Sequence, residues 1–178
     1  MISQGDRENY HKNFSLIDLP DAKQSGEWSK KQSAKLEGAK NALAKYAVIR
    51  ERLAKTNTVV RRNSYTLSIF NQINELSAYP ANVLLLLDKY DKGPMNMKKP
   101  IAQEIAAYID GFENLRTKFE TVFSETRIMN NPEGYQLDAN LHEHLANGTN
   151  NTDWMFMYEI PFNTKVREWL TIQPSTNK

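Results

Sequence analysis

The stretch IAQEIAAYIDGFENLRTKFETV, residues 101–122, decides the fold. Ile101, Ile105, Tyr108, Phe112, Leu115, Phe119 and Val122 recur every three or four positions, which is the repeat of one helix face. Carried to about residue 126, the pattern gives roughly 40 Å of helix at about 1.5 Å per residue. Gly111 sits inside it, at a cost of about 1 kcal/mol relative to alanine, and offers room for a close helix crossing.

Upstream, DKGPMNMKKP (91–100) reads as the clearest loop, with Gly93, Pro94 and Pro100. Before it, VLLLL (83–87) is apolar all round, which suits a central helix over 81–90 with Pro80 at its start. A preceding helix is expected over 59–78. Ile69, Phe70, Ile73 and Leu76 lie on one side of it; the amides Asn71, Gln72 and Asn74 lie on another, suited to partial burial or an interface. Ser29 with Gln32 predicts a capping box opening the first long helix. Its stripe is Leu36, Ala39, Leu43, Tyr46, Ile49 and Leu53, with a break near 56–58. The polar arm before it carries Phe14, Leu16, Ile17 and Leu19, which pin it to the helices.

Downstream, Pro132-Glu133-Gly134 has turn chemistry. Asp138 is expected to cap a short helix ending at Gly148. A last helix from Thr152 or Asp153 would carry Trp154, Tyr158, Phe162, Val166 and Trp169, kinked at Pro161. No period-2 strand pattern is present. The fold class is all-α: an antiparallel helical bundle of four to five helices with an irregular N-terminal arm. Residues 1–28 form the arm packed on the bundle, 29–172 the bundle domain and 173–178 a frayed tail.

The 178 residues are 40% hydrophobic and 25% charged with a net charge of +2, ordinary for one globular domain. The charges are interspersed, so no nucleic acid partner is expected. Lys30-Lys31, Arg61-Arg62 and Lys98-Lys99 read as solvated helix faces or ends. Cysteine is absent, which removes disulfides, thiol nucleophiles and cysteine-bound metals. The opening residues lack a signal-peptide pattern and no apolar run is long enough to span a bilayer, so no membrane contact is expected, and the chain is expected either to be cytoplasmic or to be a piece of a longer protein whose targeting signal lies upstream.

Chemistry-bearing residues gather in 130–159. His142 and His144 would diverge on a helix, and a zincin pair needs spacing of four, so no metal is expected; His11 is isolated. Glu133, Asp138, Glu143, Asp153 and Glu159 suit helix caps as well as a carboxylate pair. The Asn-x-Thr triplets at Asn147 and Asn150 read as turn residues. No nucleophile elbow or phosphate-binding loop occurs. Trp154, Met155, Phe156, Met157 and Tyr158 place aromatic character on more than one helix side, which suits a core and a neighbouring surface together.

Three stretches, FSLIDLPDAKQSGEWS, NQINELSAYPANVLLLLDKYD and VFSETRIMNNPEGYQLD continuing into HLANGTNNTDWMFMYE, together resemble the helical C-terminal domain of bacterial family 20 glycoside hydrolases, the β-N-acetylhexosaminidases. The resemblance covers nearly the whole chain. It implies a parent enzyme that removes terminal N-acetylglucosamine or N-acetylgalactosamine, using the substrate's acetamido group and an Asp-Glu dipeptide on a β/α barrel. This chain has no Asp-Glu dipeptide and is shorter than the roughly 200–250 residues of such a barrel. The expectation is therefore an accessory domain with no catalytic residue and no cofactor. It would pack on the catalytic barrel or a second subunit, with an N-acetylhexosamine glycan at the rim. Arg127, Tyr135, Trp154 and Tyr158 are the candidate rim or interface residues: aromatic rings stack on sugars and anchor interfaces, and a guanidinium grips carboxylates. The alternative is a free-standing helical protein–protein interaction module.

Overall fold

The computed structural model describes residues 17–59, 62, 64–125, 156 and 158–172. Among these the chain is all-helical. The elements are α1 (Glu27–Lys31), α2 (Ser33–Asn57), α3 (Ser64–Lys92), α4 (Met95–Asp110), α5 (Phe112–Ser124) and α6 (Glu159–Ile172). α3 is central: α1, α2, α4 and α5 all pack on it, and α6 packs on α4. The core gathers Leu36 and Ala39 from α2 and Tyr79, Val83, Leu87 and Tyr90 from α3. It continues through Ile101, Ile105 and Ile109, then Phe112 and Phe119, and closes with Phe156, Phe162 and Val166. Each such Leu, Ile, Val or Phe side chain contributes about 1.5–3 kcal/mol of burial. This is the antiparallel bundle with an irregular arm that the hydrophobic spacing predicts.

Several boundaries differ from expectation, each for a local reason. Ser29 does not open a long helix. Its N–H is taken by Asp91 Oδ2 at 2.8 Å, inside a one-turn helix that starts after Gly26 at φ 84°. Gln32 then ends α1 and precedes α2, with no side-chain cap. The break at Asn57 falls where the loss of pattern places it.

The two helices expected either side of Pro80 are one, running through the proline. Proline inside a helix forfeits a backbone bond and costs about 3 kcal/mol. Here the ring itself is buried beside Tyr79 and Ala81, so burial on the most enclosed helix offsets the loss. The expected loop at 91–100 contracts to Gly93 and Pro94. Pro94 precedes α4, and Pro100 lies within it. A Cβ on Gly93 would come 2.8 Å from Ile101 Cδ1 and 3.0 Å from the Lys89 carbonyl oxygen, so any side chain at this tight corner would have to displace the Ile101 side chain.

The long helix after residue 101 divides at Gly111 into α4 and α5, yet helical bonding continues through it. Gly111 N donates to Ala107 O at 3.1 Å, and Leu115 N to Gly111 O at 3.2 Å. Pro161 does not kink the last helix. It stands in the first turn of α6, where a backbone donor has no helical acceptor to meet.

The described part of the arm is held through its backbone carbonyls. Lys165 Nζ donates to Ile17 O at 2.8 Å, Trp28 Nε1 to Asp18 O, and Trp169 Nε1 to Pro20 O at 2.9 Å. Ile17 is buried and Leu19 packs against the core. Phe14 and Leu16 lie outside the described residues.

Candidate interaction surface

α2 and the first half of α3 form a helical hairpin. α2 meets α3 along its length and α1 at its start, and among the described residues no other element shares a comparable interface with it. A pair of helices cannot bury both of its faces, and the exposed apolar residues fall accordingly. Val48, Ile49, Val59, Phe70 and Ile73 are all exposed, Phe70 by 53%. The apolar side expected on the second helix is thus split, while its amide side is partly buried, as its composition suits. Ile69 and Leu76 do pack on the core, but Phe70 and Ile73 turn to solvent while the amide Asn74 is buried. Asn74 Nδ2 donates to Tyr46 O across the hairpin at 3.3 Å, so an amide is used to bridge the two backbones.

That contact sets the register, with Tyr46 level with Asn74. At about 100° per residue, Ile49 and Leu53 on α2 and Phe70 and Ile73 on α3 then fall on one side of the hairpin. Lys45 and Arg52 border them on α2. The acids Glu51 and Glu75 fall on the opposite side, where Glu51 pairs with Lys55.

A second assembly lies at the other end of α3. Asp91 is fully buried and Lys98 nearly so. Lys98 Nζ donates to Tyr90 O at 2.6 Å and Asp91 O at 3.0 Å, and lies 4.6 Å from the Tyr90 ring centre. The last carbonyls of a helix lack helical partners and favour a cation; Lys98 supplies both from the next helix. Ser25 Oγ and Gly26 N also donate to Asp91 O. The Asp91 carboxylate faces the other way and caps the first turn of α1 through Ser29 N. Burial pushes the Lys98 ammonium below its ordinary value, against the pull of the Asp91 charge. Lys98, which the charge pattern puts on a solvated face, is thus a buried clasp. The residues it serves give a weak signal: a lysine shortly after a Gly-Pro helix break.

Between α3 and α4 an open groove of about 600 Å³ is lined by Asn82, Leu85, Leu86, Ala107 and Tyr108, with Lys89 and Glu104 at one end. Beneath it Tyr108 stacks on Tyr79 with ring centres 5.3 Å apart, and Tyr79 Oη donates to Asn163 Oδ1 at 2.8 Å. Burial raises both phenols, Tyr79 far beyond its ordinary range. Both therefore remain protonated hydrogen-bond donors at physiological pH, not bases.

Set against known proteins, the chain matches no family model, no curated protein and no solved structure. The geometry alone therefore ranks its surfaces.

Of the four residues singled out by sequence, Tyr158 is placed. It is half-buried and directly precedes α6, where its carbonyl accepts from Phe162 N at 3.3 Å. Arg127, Tyr135 and Trp154 lie outside the described residues, as do His11, His142, His144, both Asn-x-Thr triplets, the turn at Pro132 and the short helix expected from Asp138. Glu159 is buried at the start of α6. Among the described residues no group of three His, Asp or Glu side chains is placed to hold a metal ion. No helix among them is long and apolar enough to cross a membrane.

Proposed function

We propose that this chain is a helical binding domain that works by packing against another protein. The observation that carries this is the exposed apolar side of the α2–α3 hairpin, with Phe70, Ile49 and Ile73 uncovered. Ordinary surfaces scatter such residues singly; gathered on one element they mark interaction sites.

The finer form of the reading makes the partner the catalytic barrel, or a second subunit, of a β-N-acetylhexosaminidase. Its support is the sequence resemblance. Within the stretches that carry it stand Asp18, Trp28, Ser29 and Asp91, the residues that tie the arm to α3. A domain built around that tie would be an accessory domain, with Tyr158 near the interface and the sugar chemistry supplied by the barrel.

Light scattering on a sizing column tests this, using the chain and the barrel encoded in the same reading frame as separate polypeptides. A one-to-one complex is the expected result. Separate elution, or a reading frame without a barrel, sinks the hexosaminidase form and leaves the free-standing interaction module. Turnover of a chromogenic N-acetylglucosaminide by this chain alone would overturn the non-catalytic reading altogether.

A further inference from the structure

The hairpin face has a chemistry that narrows its partner. α2 and residues 64–79 contain Lys35, Lys40, Lys45, Arg50, Arg52 and Lys55 against Glu37, Glu51 and Glu75, a net +3, where the whole chain carries +2. The net positive charge of the chain thus resides on this one element. The register set by Asn74 and Tyr46 puts Ile49, Leu53, Phe70 and Ile73 together, with Lys45 and Arg52 alongside. Neither Lys45 nor Arg52 has an ion-pair partner among the described residues. The acids of the hairpin, Glu37, Glu51 and Glu75, all face away by the same register. The surface is therefore an apolar strip bordered by unneutralised cations.

We propose that this face receives an amphipathic helix whose apolar stripe is flanked by Asp and Glu. The assignment rests on the binding-domain reading and names the chemistry of the partner. Two antiparallel helices leave a shallow groove between them, and a third helix laid along it would complete a three-helix unit through 3–4-spaced anchors. Acidic flanks would meet Lys45 and Arg52. A second copy of this face is disfavoured, because it would bring the same cations together. Nucleic acid would engage the cations but make no use of Phe70, Ile49 and Ile73. A lipid surface would be touched most readily by the hairpin tip near Val59, not by a strip along the hairpin's side.

The test is fluorescence anisotropy with designed helical peptides of about 16 residues, some four turns. One carries Leu and Phe at 3–4 spacing with Glu flanks, one has Lys in place of Glu, and one is scrambled. The acidic peptide should bind saturably and more weakly as salt rises. Phe70→Ser and the double change Lys45→Glu with Arg52→Glu should each weaken it at least tenfold. All three positions are exposed, so circular dichroism and the melting midpoint should stay near the parent's. Equal binding of the basic peptide, indifference to both substitutions, or no saturable binding overturns the assignment. Binding to phosphatidylserine vesicles without binding to the acidic peptide also overturns it, in favour of a membrane surface. If the peptide fails while the complex with the barrel forms, only this assignment falls; if both fail, the binding-domain reading falls too.

Discussion

Asp91 concentrates more structural work than any other described residue. Its carboxylate caps α1, its carbonyl accepts from Ser25, Gly26 and Lys98, and it is fully buried. Asp91→Ala should cost about 3 kcal/mol in urea unfolding, because it strips a buried hydrogen-bonded charge and leaves Lys98 without its counter-charge. Asp91→Asn retains an acceptor for Ser29 N and should lose about 1 kcal/mol. Gly93→Ala forces a methyl against Ile101 and the Lys89 carbonyl and should cost about 1–3 kcal/mol by overpacking, read from the same curves. Tyr79, Tyr90 and Tyr108 all have phenols raised by burial above the ordinary value of 10.0. A raised acid binds its proton more tightly when folded, so its stabilisation is intact below about pH 10 and lost as pH climbs further. Lys98, lowered by burial, acts in the opposite sense, since its burial penalty eases as it deprotonates, but it is one group against three. The melting midpoint should therefore fall above about pH 10. Tyr79→Phe should flatten that fall and cost about 1–2 kcal/mol at neutral pH, through the orphaned Asn163. None of these partners was legible in the sequence. Ser29 and Gln32 have the form of a capping box, and nothing in their neighbourhood reveals that the donor is claimed by a residue 62 positions away.

At the scale of elements, periodicity carried most of the information. The stripes from Leu36 and from Ile101 were readable because burial selects one face; the second proved to be a core face, while the first is core only from Leu36 to Leu43 and leaves Ile49 exposed. What periodicity could not show was continuity. Pro80 and Pro100 carry strong local signals for helix ends, but tertiary burial overrode them, and Gly111 divides a helix without interrupting its bonding. The exposure of Phe70 and Ile73 was hidden for a different reason: the inner helices cover the Ile69 and Leu76 side of α3, and α2 covers the Asn74 side, so the side between them is left open. The described part of the arm is held by side chains, not by a sheet or helix ladder. Trp169→Phe removes the donor to Pro20 O while preserving most of the ring contact with Tyr90. Limited proteolysis should then cut near residues 20–25 several times faster, with little change in global stability; unchanged cleavage would show that Lys165 and Trp28 suffice to hold it.

At the scale of the whole molecule, the fold is unevenly supported. Among the described residues the ring contacts gather on α3, α4, α5, α6 and Phe156, including the tilted Tyr79–Phe112 pair and the edge-on Phe112–Phe156 pair. Among the described residues α2 is held by one helix–helix seam with an amide in it, and Asn74 Oδ1 there is buried without a hydrogen-bond partner among them. Native-state hydrogen exchange should accordingly show residues 46–57 and 64–74 opening at lower free energy than residues 79–91 and 101–109. Equal protection across both would mean that the hairpin and the inner helices open as one cooperative unit. The overall class was legible because summed hydrophobic spacing over long windows is robust. The surface that distinguishes this bundle was not, since it depends on which helix lacks a neighbour.

The distance between Ser29 and Asp91 also orders events during synthesis. A five-residue helix cannot persist alone in water, and the carboxylate that completes α1 is made only after another 62 residues have been added. While the chain emerges from the ribosome, α2 and α3 can pair first, and residues 17–31 must wait. The N-terminal segment is thus translated early and settles late, exposing Trp28 to whatever chaperone or partner meets the nascent chain in the interval.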